Sequence, residues 1–317
     1  MVRAQEEEQK PRLQRGFLFM LFGGAMRTTS IENQFLQVSF KHIGAELSSL
    51  VDKRDGVEHM WKADPAFWPR KAPLLFPCVG ESKEGKITVD GRSYTMGRHG
   101  FARHEHFTVL GEGTNHVIFE LRSDPNLLRQ YPFDFIFRVR YELNETQLKT
   151  SFEVVNSGIS HMGFQLGGHP AFAVPFGSSG KFNDYKIEFG KSMNLKRHLL
   201  TENGLYSGQE RAFLNNEAEF DLFYDLFKED ALVFKHIPSK RVWIQHRNGG
   251  KRLQMDFDGF SHFGIWSVPG ADYVCLEPWI GCADMHDQKA DFFEKDSLIV
   301  LRPDQRFEAS FAISVQP

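Results

Sequence analysis

The stretch Phe135-Ile136-Phe137-Arg138-Val139-Arg140-Tyr141-Glu142-Leu143 alternates apolar and charged side chains with a period of two. Successive side chains of an extended chain point to opposite faces, so Phe135, Phe137, Val139, Tyr141 and Leu143 share one side, opposite Arg138, Arg140 and Glu142. After a polar turn at Asn144-Glu145-Thr146, the alternation resumes with Leu148, Thr150, Phe152 and Val154. Residues 135–155 therefore read as an antiparallel hairpin with one buried face. The C-terminal end repeats the signal, with Phe307, Ala309, Phe311, Ile313 and Val315 opposite Glu308, Ser310 and Ser314.

A second hairpin is expected where Asn248-Gly249-Gly250 separates the runs 242–246 and 253–257, because Asn and Gly accept the positive φ of tight turns. Further short strands are predicted near 34–40, 43–51, 107–110, 116–121, 185–189, 273–277 and 298–302. Helical spacing is confined to 219–228 and 285–294. The 31 Phe fit the same picture, since aromatic side chains favour pleated surfaces. No repeat, low-complexity block or linker divides the body, so one all-β, antiparallel sandwich domain is expected over 28–317.

A chain of 317 residues with 41% hydrophobic and 25% charged side chains is not disordered. Its 38 basic and 41 acidic residues give no general attraction to nucleic acid, and no apolar run approaches the roughly 20 residues of a membrane helix. Cys78, Cys275 and Cys282 are odd in number and contain no Cys-x-x-Cys, which excludes a disulfide framework and a four-cysteine zinc site and points to the reducing cytoplasm. Residues 1–27 differ from the rest: three Glu at 6–8, Lys10, a short apolar run at 17–22 and Gly23-Gly24. They read as an appended or upstream-start segment, with Met26 as an alternative start and a targeting signal as the rival reading. No feature marks a protein partner, and a monomer or weak homodimer is expected.

Three histidine- or carboxylate-bearing segments could carry chemistry. They are Arg98-His99-Gly100-Phe101-Ala102-Arg103, Gly167-Gly168-His169-Pro170-Ala171-Phe172 and Cys275-Leu276-Glu277-Pro278-Trp279. His169, between a glycine pair and a proline, belongs to a bent, non-helical backbone at a strand end. Glu277 closes an apolar strand beside Trp279, where partial burial raises a carboxyl pKa and makes it a better base. On pattern alone, a turn histidine bonded to a carbonyl and a surface Glu on an edge strand remain open alternatives.

Taken in order, these segments resemble the aldose 1-epimerase (galactose mutarotase-like) family. The resemblance also covers Gly44-Ala45-Glu46-Leu47-Ser48-Ser49-Leu50 and Leu75-Phe76-Pro77-Cys78-Val79-Gly80, and spans nearly all of 30–317. It implies a large antiparallel β-supersandwich and a cofactor-free, metal-free interconversion of α and β sugar anomers. By the resemblance Glu277 is the base at O1, His169 the acid at the ring oxygen, and His99 a second histidine that holds and polarises the sugar. With ordinary pKa values near 4.3 and 6.5, the expectation is an ionised Glu277 and a His169 pushed toward its protonated form. Phe101, Trp266 and Trp279 are candidate platforms for the sugar's C–H face.

The sequence also departs from the galactose mutarotases. Where they carry an Arg after the glycine matching Gly80 and another a few residues on, Glu81, Lys83 and Lys86 stand here. The Asp that contacts sugar hydroxyls in that group is expected near His246, where there is none. Arg70-Lys71, with Arg103, instead resembles the hexose-6-phosphate 1-epimerase branch, so a sugar phosphate is the alternative substrate and a surface Arg-Lys pair the plain reading. Two rivals complete the field. His104 and His106 form a His-x-His pair near His99 that would suit a metal if it lay on a strand. A non-catalytic carbohydrate-binding module would need the aromatic platform but no matched Glu and His.

Overall fold

The computed structural model describes residues 27–177, 180–287 and 291–317. The appended segment expected at the N-terminus thus lies, but for Arg27, outside the described residues. The body is β throughout, with antiparallel strand pairs and six short 3-10 turns among the described residues.

The quoted hairpin forms as its alternation requires. Strands Phe135–Asn144 and Gln147–Asn156 pair in register, Phe137 opposite Val154 and Tyr141 opposite Thr150, and the apolar set is buried. Arg306–Gln316 adds to one side and His116–Arg122 to the other. These strands belong to a fifteen-stranded sheet that also takes in Arg252–Asp256, Arg241–His246, Tyr185–Leu200, Leu232–Lys235, His262–Trp266, Tyr273–Ile280 and Leu166–Gly168. A separate four-stranded sheet, Thr28–Glu32, Leu36–Lys41, Leu47–Asp52 and Val57–Glu58, closes over the buried face. Phe40 stacks on Tyr141 with ring centroids 4.2 Å apart, and the Tyr141 hydroxyl donates to the Ala45 carbonyl at 2.8 Å. The Phe excess fills this interior, where Phe76, Phe107, Phe119, Phe135, Phe137, Phe152, Phe164 and Phe172 are all fully buried.

The two helices predicted at 219–228 and 285–294 do not form as such. Residues 219–221 end the strand Tyr206–Asp221, and only Tyr224–Phe227 turns, as a 3-10 segment with Tyr224 stacked on Phe182 at 4.5 Å. In the second stretch Met285 bridges to Tyr206, Phe292–Glu294 is a single 3-10 turn, and 288–290 lie outside the described residues.

Candidate active site

Strand Tyr273–Ile280 is buried at every residue and has partners on both edges. Glu277 lies opposite Gly264 of His262–Trp266, while Trp279 and Cys275 lie opposite Gly167 and Ala171. Gly264 is required here, because a Cβ at that position would stand 2.6 Å from the Trp279 ring and 3.3 Å from Glu277 Cβ. His169 occupies the break between strands Leu166–Gly168 and Ala171–Ala173, imposed by the following Pro170. Its side chain therefore lies beside the middle of the central strand. His169 Nε2 is 3.1 Å from Glu277 Oε2, and the two side chains are 8% and 2% exposed.

The third residue arrives on a tight loop. His99 (φ 66°) and Gly100 (φ 71°) are both left-handed, and a Cβ on Gly100 would sit 2.2 Å from the Phe76 carbonyl oxygen. His99 and Gly80 are locked reciprocally: the His99 amide donates to the Gly80 carbonyl at 2.8 Å, and the Gly80 amide donates to His99 Nδ1 at 3.0 Å. An Nδ1 that accepts carries no proton, so a neutral His99 presents Nε2–H as a donor. Its ring meets that of His169 edge-on at 5.6 Å.

His99, His169 and Glu277 line one cavity of about 140 Å³, many times the ~10–15 Å³ that one water requires. Its aromatic wall is Trp68, Trp266 and Trp279. Trp68 stacks on His169 at 5.0 Å, and Trp266 stands edge-on to both, at 5.4 Å and 5.8 Å. Glu81, Arg98, Arg103, Tyr206 and Asp230 complete the polar lining. Arg103 Nε is buried without a partner, while one of its terminal nitrogens donates to the Arg98 carbonyl at 2.5 Å. Arg98 in turn pairs with Glu81 at 3.1 Å.

Burial dominates the electrostatics. It pushes Glu277 well above the usual carboxylate range, with Asp230 adding to the rise, and it pushes His169 down to about 3, with Arg103 and Arg70 adding to the fall. The expected raised Glu277 is therefore observed, whereas the expected ionised pair is not favoured: both partners are driven toward their neutral forms, because removal of both groups from water outweighs their mutual attraction. In that neutral form the carboxyl keeps its proton, and the 3.1 Å approach is a close contact in which Glu277 Oε2 has no hydrogen-bond partner. His99 is likewise held well below its ordinary value, first by burial and then by His169 and the arginines. Burial, Arg70 and Arg98 lower Arg103 to about 10.

Among the other candidates, Arg103, Trp266 and Trp279 line the cavity, and Arg70 acts on it through its charge. Phe101 and Lys71 do not line it. The Phe101 ring packs into the core against Phe76, Tyr131 and Phe135, and the Lys71 ammonium donates to the Ser48 carbonyl at 2.8 Å. His246 is away from the cavity against Tyr185, and the cavity's other carboxylates are Glu81 and Asp230. The His-x-His pair is not on a strand: Ala102–His104 is a 3-10 turn, and His106 faces His42 at 5.7 Å. Two other groups place ligand atoms within 4.8 Å of one another, His169 with Cys275 and Glu277, and His262 with Cys282 and Asp296. Sequence reasoning missed Trp68, Tyr206 and Asp230. Only Trp68 carried a signal, as an aromatic two residues before the Arg70-Lys71 pair.

The large antiparallel β-sandwich is the fold of galactose mutarotase-like structures. The chain is 31% identical to the galactose mutarotase related enzyme of Lactobacillus acidophilus, with a TM-score of 0.88 over 92% of this chain and 98% of that one. A galactose mutarotase-like protein of Lactobacillus casei superposes with a TM-score of 0.86 at 26% identity, over 92% of this chain and all of that one. The chromosomal LacX protein of Lactococcus lactis subsp. lactis is 33% identical over 91% of this chain and 99% of its own. The aldose 1-epimerase family model matches residues 27–314, and the chain belongs to that family.

Proposed function

We propose that the protein is an aldose 1-epimerase that interconverts the α and β anomers of an aldohexose, with Glu277 and His169 as the proton-transferring pair. The buried 3.1 Å contact between His169 Nε2 and Glu277 Oε2 is the observation that carries this reading. Glu277 takes the O1 proton as His169 gives one to the ring oxygen; the C1–O5 bond breaks and C1=O1 forms. Rotation about C1–C2 and reversal of both transfers then closes the other anomer. The pair begins with its proton on His169 and ends with it on Glu277, so it holds one proton throughout. Burial favours the neutral arrangement, which belongs to the open-chain aldehyde. His99, donating through Nε2–H, supports the developing charge on a sugar oxygen.

Polarimetry of freshly dissolved α-glucose and α-galactose tests the assignment. Glu277→Gln and His169→Asn are each expected to lower kcat by about 10²–10⁴-fold. Wild-type rates in either variant remove that residue from the chemistry. A wild type that binds aldoses yet never accelerates mutarotation makes the protein a carbohydrate-binding module.

A second reading concerns the substrate. Arg98 and Arg103 line the cavity, Arg70 adds its charge, and the buried Arg103 Nε has no partner. This cationic group supports an aldose bearing an anionic substituent such as a 6-phosphate. The comparison is kcat/KM for glucose against glucose 6-phosphate: Arg103→Gln is expected to raise KM for the phosphorylated sugar alone, and an equal effect on both returns the substrate to the free aldoses.

A further inference from the structure

A second cluster of side chains lies across Tyr206 from the sugar cavity. His262 opens strand His262–Trp266, Cys282 follows strand Tyr273–Ile280 by two residues, and Asp296 follows the turn Phe292–Glu294. Their ligand atoms are within 4.8 Å of one another. His262 and Cys282 are each only 1% exposed, whereas the Asp296 side chain is 51% exposed and opens the group to solvent.

The histidine makes this more than a chance cluster. Its Nδ1 is 2.8 Å from the Ser261 hydroxyl oxygen, while its buried Nε2 has no hydrogen-bond partner. Leaving such an atom unsatisfied costs about 1–3 kcal/mol, so its persistence needs a reason. With Nδ1–H donating to Ser261, Nε2 is a lone pair beside a thiol and a carboxylate. An imidazole oriented by a hydrogen bond on its far nitrogen is the usual form of a metal-binding histidine.

We propose that His262 Nε2, Cys282 Sγ and an Asp296 carboxylate oxygen bind a zinc-class divalent cation, with water as the fourth ligand, separately from the His169–Glu277 pair. Nitrogen, thiolate and carboxylate donors together suit a borderline-soft, tetrahedral ion. Ligands at 2.0–2.3 Å from a tetrahedral centre stand roughly 3.3–3.8 Å apart, so the present spacing closes by at most about 1.5 Å. Binding replaces the Cys282 S–H bond by a metal–thiolate bond and releases that proton to solvent.

Lys235 opposes the cation. Its ammonium is 2.6 Å from Asp296 Oδ2 and 4.7 Å from the centre of the Tyr206 ring, and a bound ion displaces it from the carboxylate. Removing that charge should therefore tighten binding.

The test titrates metal-free full-length protein with Co²⁺ and follows thiolate-to-cobalt charge-transfer absorption, which reports a cysteine ligand directly. One equivalent is expected to develop the band in wild type and in Cys275→Ser, and none in Cys282→Ser. Asp296→Asn alters a half-exposed residue and keeps the test readable should Cys282→Ser fail to fold; it is expected to weaken binding at least about tenfold, as is Ser261→Ala. Lys235→Gln is expected to tighten it about tenfold. Absence of a band in wild type, its survival in Cys282→Ser, its loss in Cys275→Ser, or a Lys235→Gln affinity no tighter than wild type overturns the proposal.

Discussion

His99 and His169 share one cavity, yet their neighbours give them different capabilities. The Gly80 amide occupies His99 Nδ1, so His99 enters the site as a donor through Nε2 and does not serve as a base. Loss of one preorganised donor of this kind typically costs about 10²–10³-fold. His99→Ala is therefore expected to reduce kcat/KM by roughly that factor, while His99→Gln, which keeps an N–H near the tip, retains more; equal losses in polarimetric assays would contradict the donor role. His169 behaves differently because its pKa is depressed to about 3 while that of Glu277 is raised. A second proton reaches the pair only well below the ordinary histidine value of about 6.5, and the shared proton leaves only above the usual carboxylate range. The kcat/KM profile of the folded enzyme should accordingly show no acid limb centred near 6.5. A limb there would place a histidine of ordinary pKa in the rate-determining step.

The elements explain which parts of this arrangement could be read in advance. Strands 135–144 and 147–156 were legible because one face is buried and the other more exposed, which writes a period of two into the sequence, whereas 306–316 shows that period in its residue types although 311–315 are buried on both faces. The hairpin of Tyr185–Leu200 and Tyr206–Asp221 was not. Its second strand is mostly exposed and its register shifts four times, so no alternation marks it, and Tyr206 was hidden with it. Phe220, Phe223, Tyr224 and Phe227 fall at i, i+3, i+4 and i+7 and imitate a helix. In the structure they divide between a strand end and a 3-10 turn. His169 and Glu277 were legible from motif order, but the direction of their ionisation was not, since burial of Glu277 depends on strands from three separate regions of the chain. Gly264 is the element-scale expression of that packing. Gly264→Ala places a methyl 2.6 Å from the Trp279 ring and should destabilise by about 1–3 kcal/mol while impairing turnover. Gly111→Ala, where φ is not positive and a Cβ meets only Ile118 Cδ1 at 3.8 Å, is the control for an added methyl without a clash. Equal activity in the two variants would show that the Trp279 wall tolerates displacement.

For the whole molecule, buried histidines couple stability to pH. His59 is fully buried with both ring nitrogens unpartnered, and burial, aided by Lys251, holds it at about 4. A histidine depressed in the folded state binds its proton more readily unfolded, so its stabilising effect is complete above about 6.5 and is lost as pH falls toward 4. At about 1.4 kcal/mol per unit, this one residue accounts for about 3 kcal/mol across that window. Urea midpoints should fall between those values in wild type and fall less in His59→Leu; identical slopes would assign the acid sensitivity elsewhere.

Strand Tyr273–Ile280 has a further consequence for motion. His262–Trp266 pairs along one edge from Cys275 to Trp279, and residues 166–167 and 171–173 pair with its two ends along the other, so its hydrogen exchange should be limited by unfolding of the whole domain except around Glu277, which faces the break at His169 and Pro170. Glu277, opposite that break, is nevertheless held in a strand buried at every residue. On heating, turnover should vanish together with the β-sheet circular dichroism rather than before it.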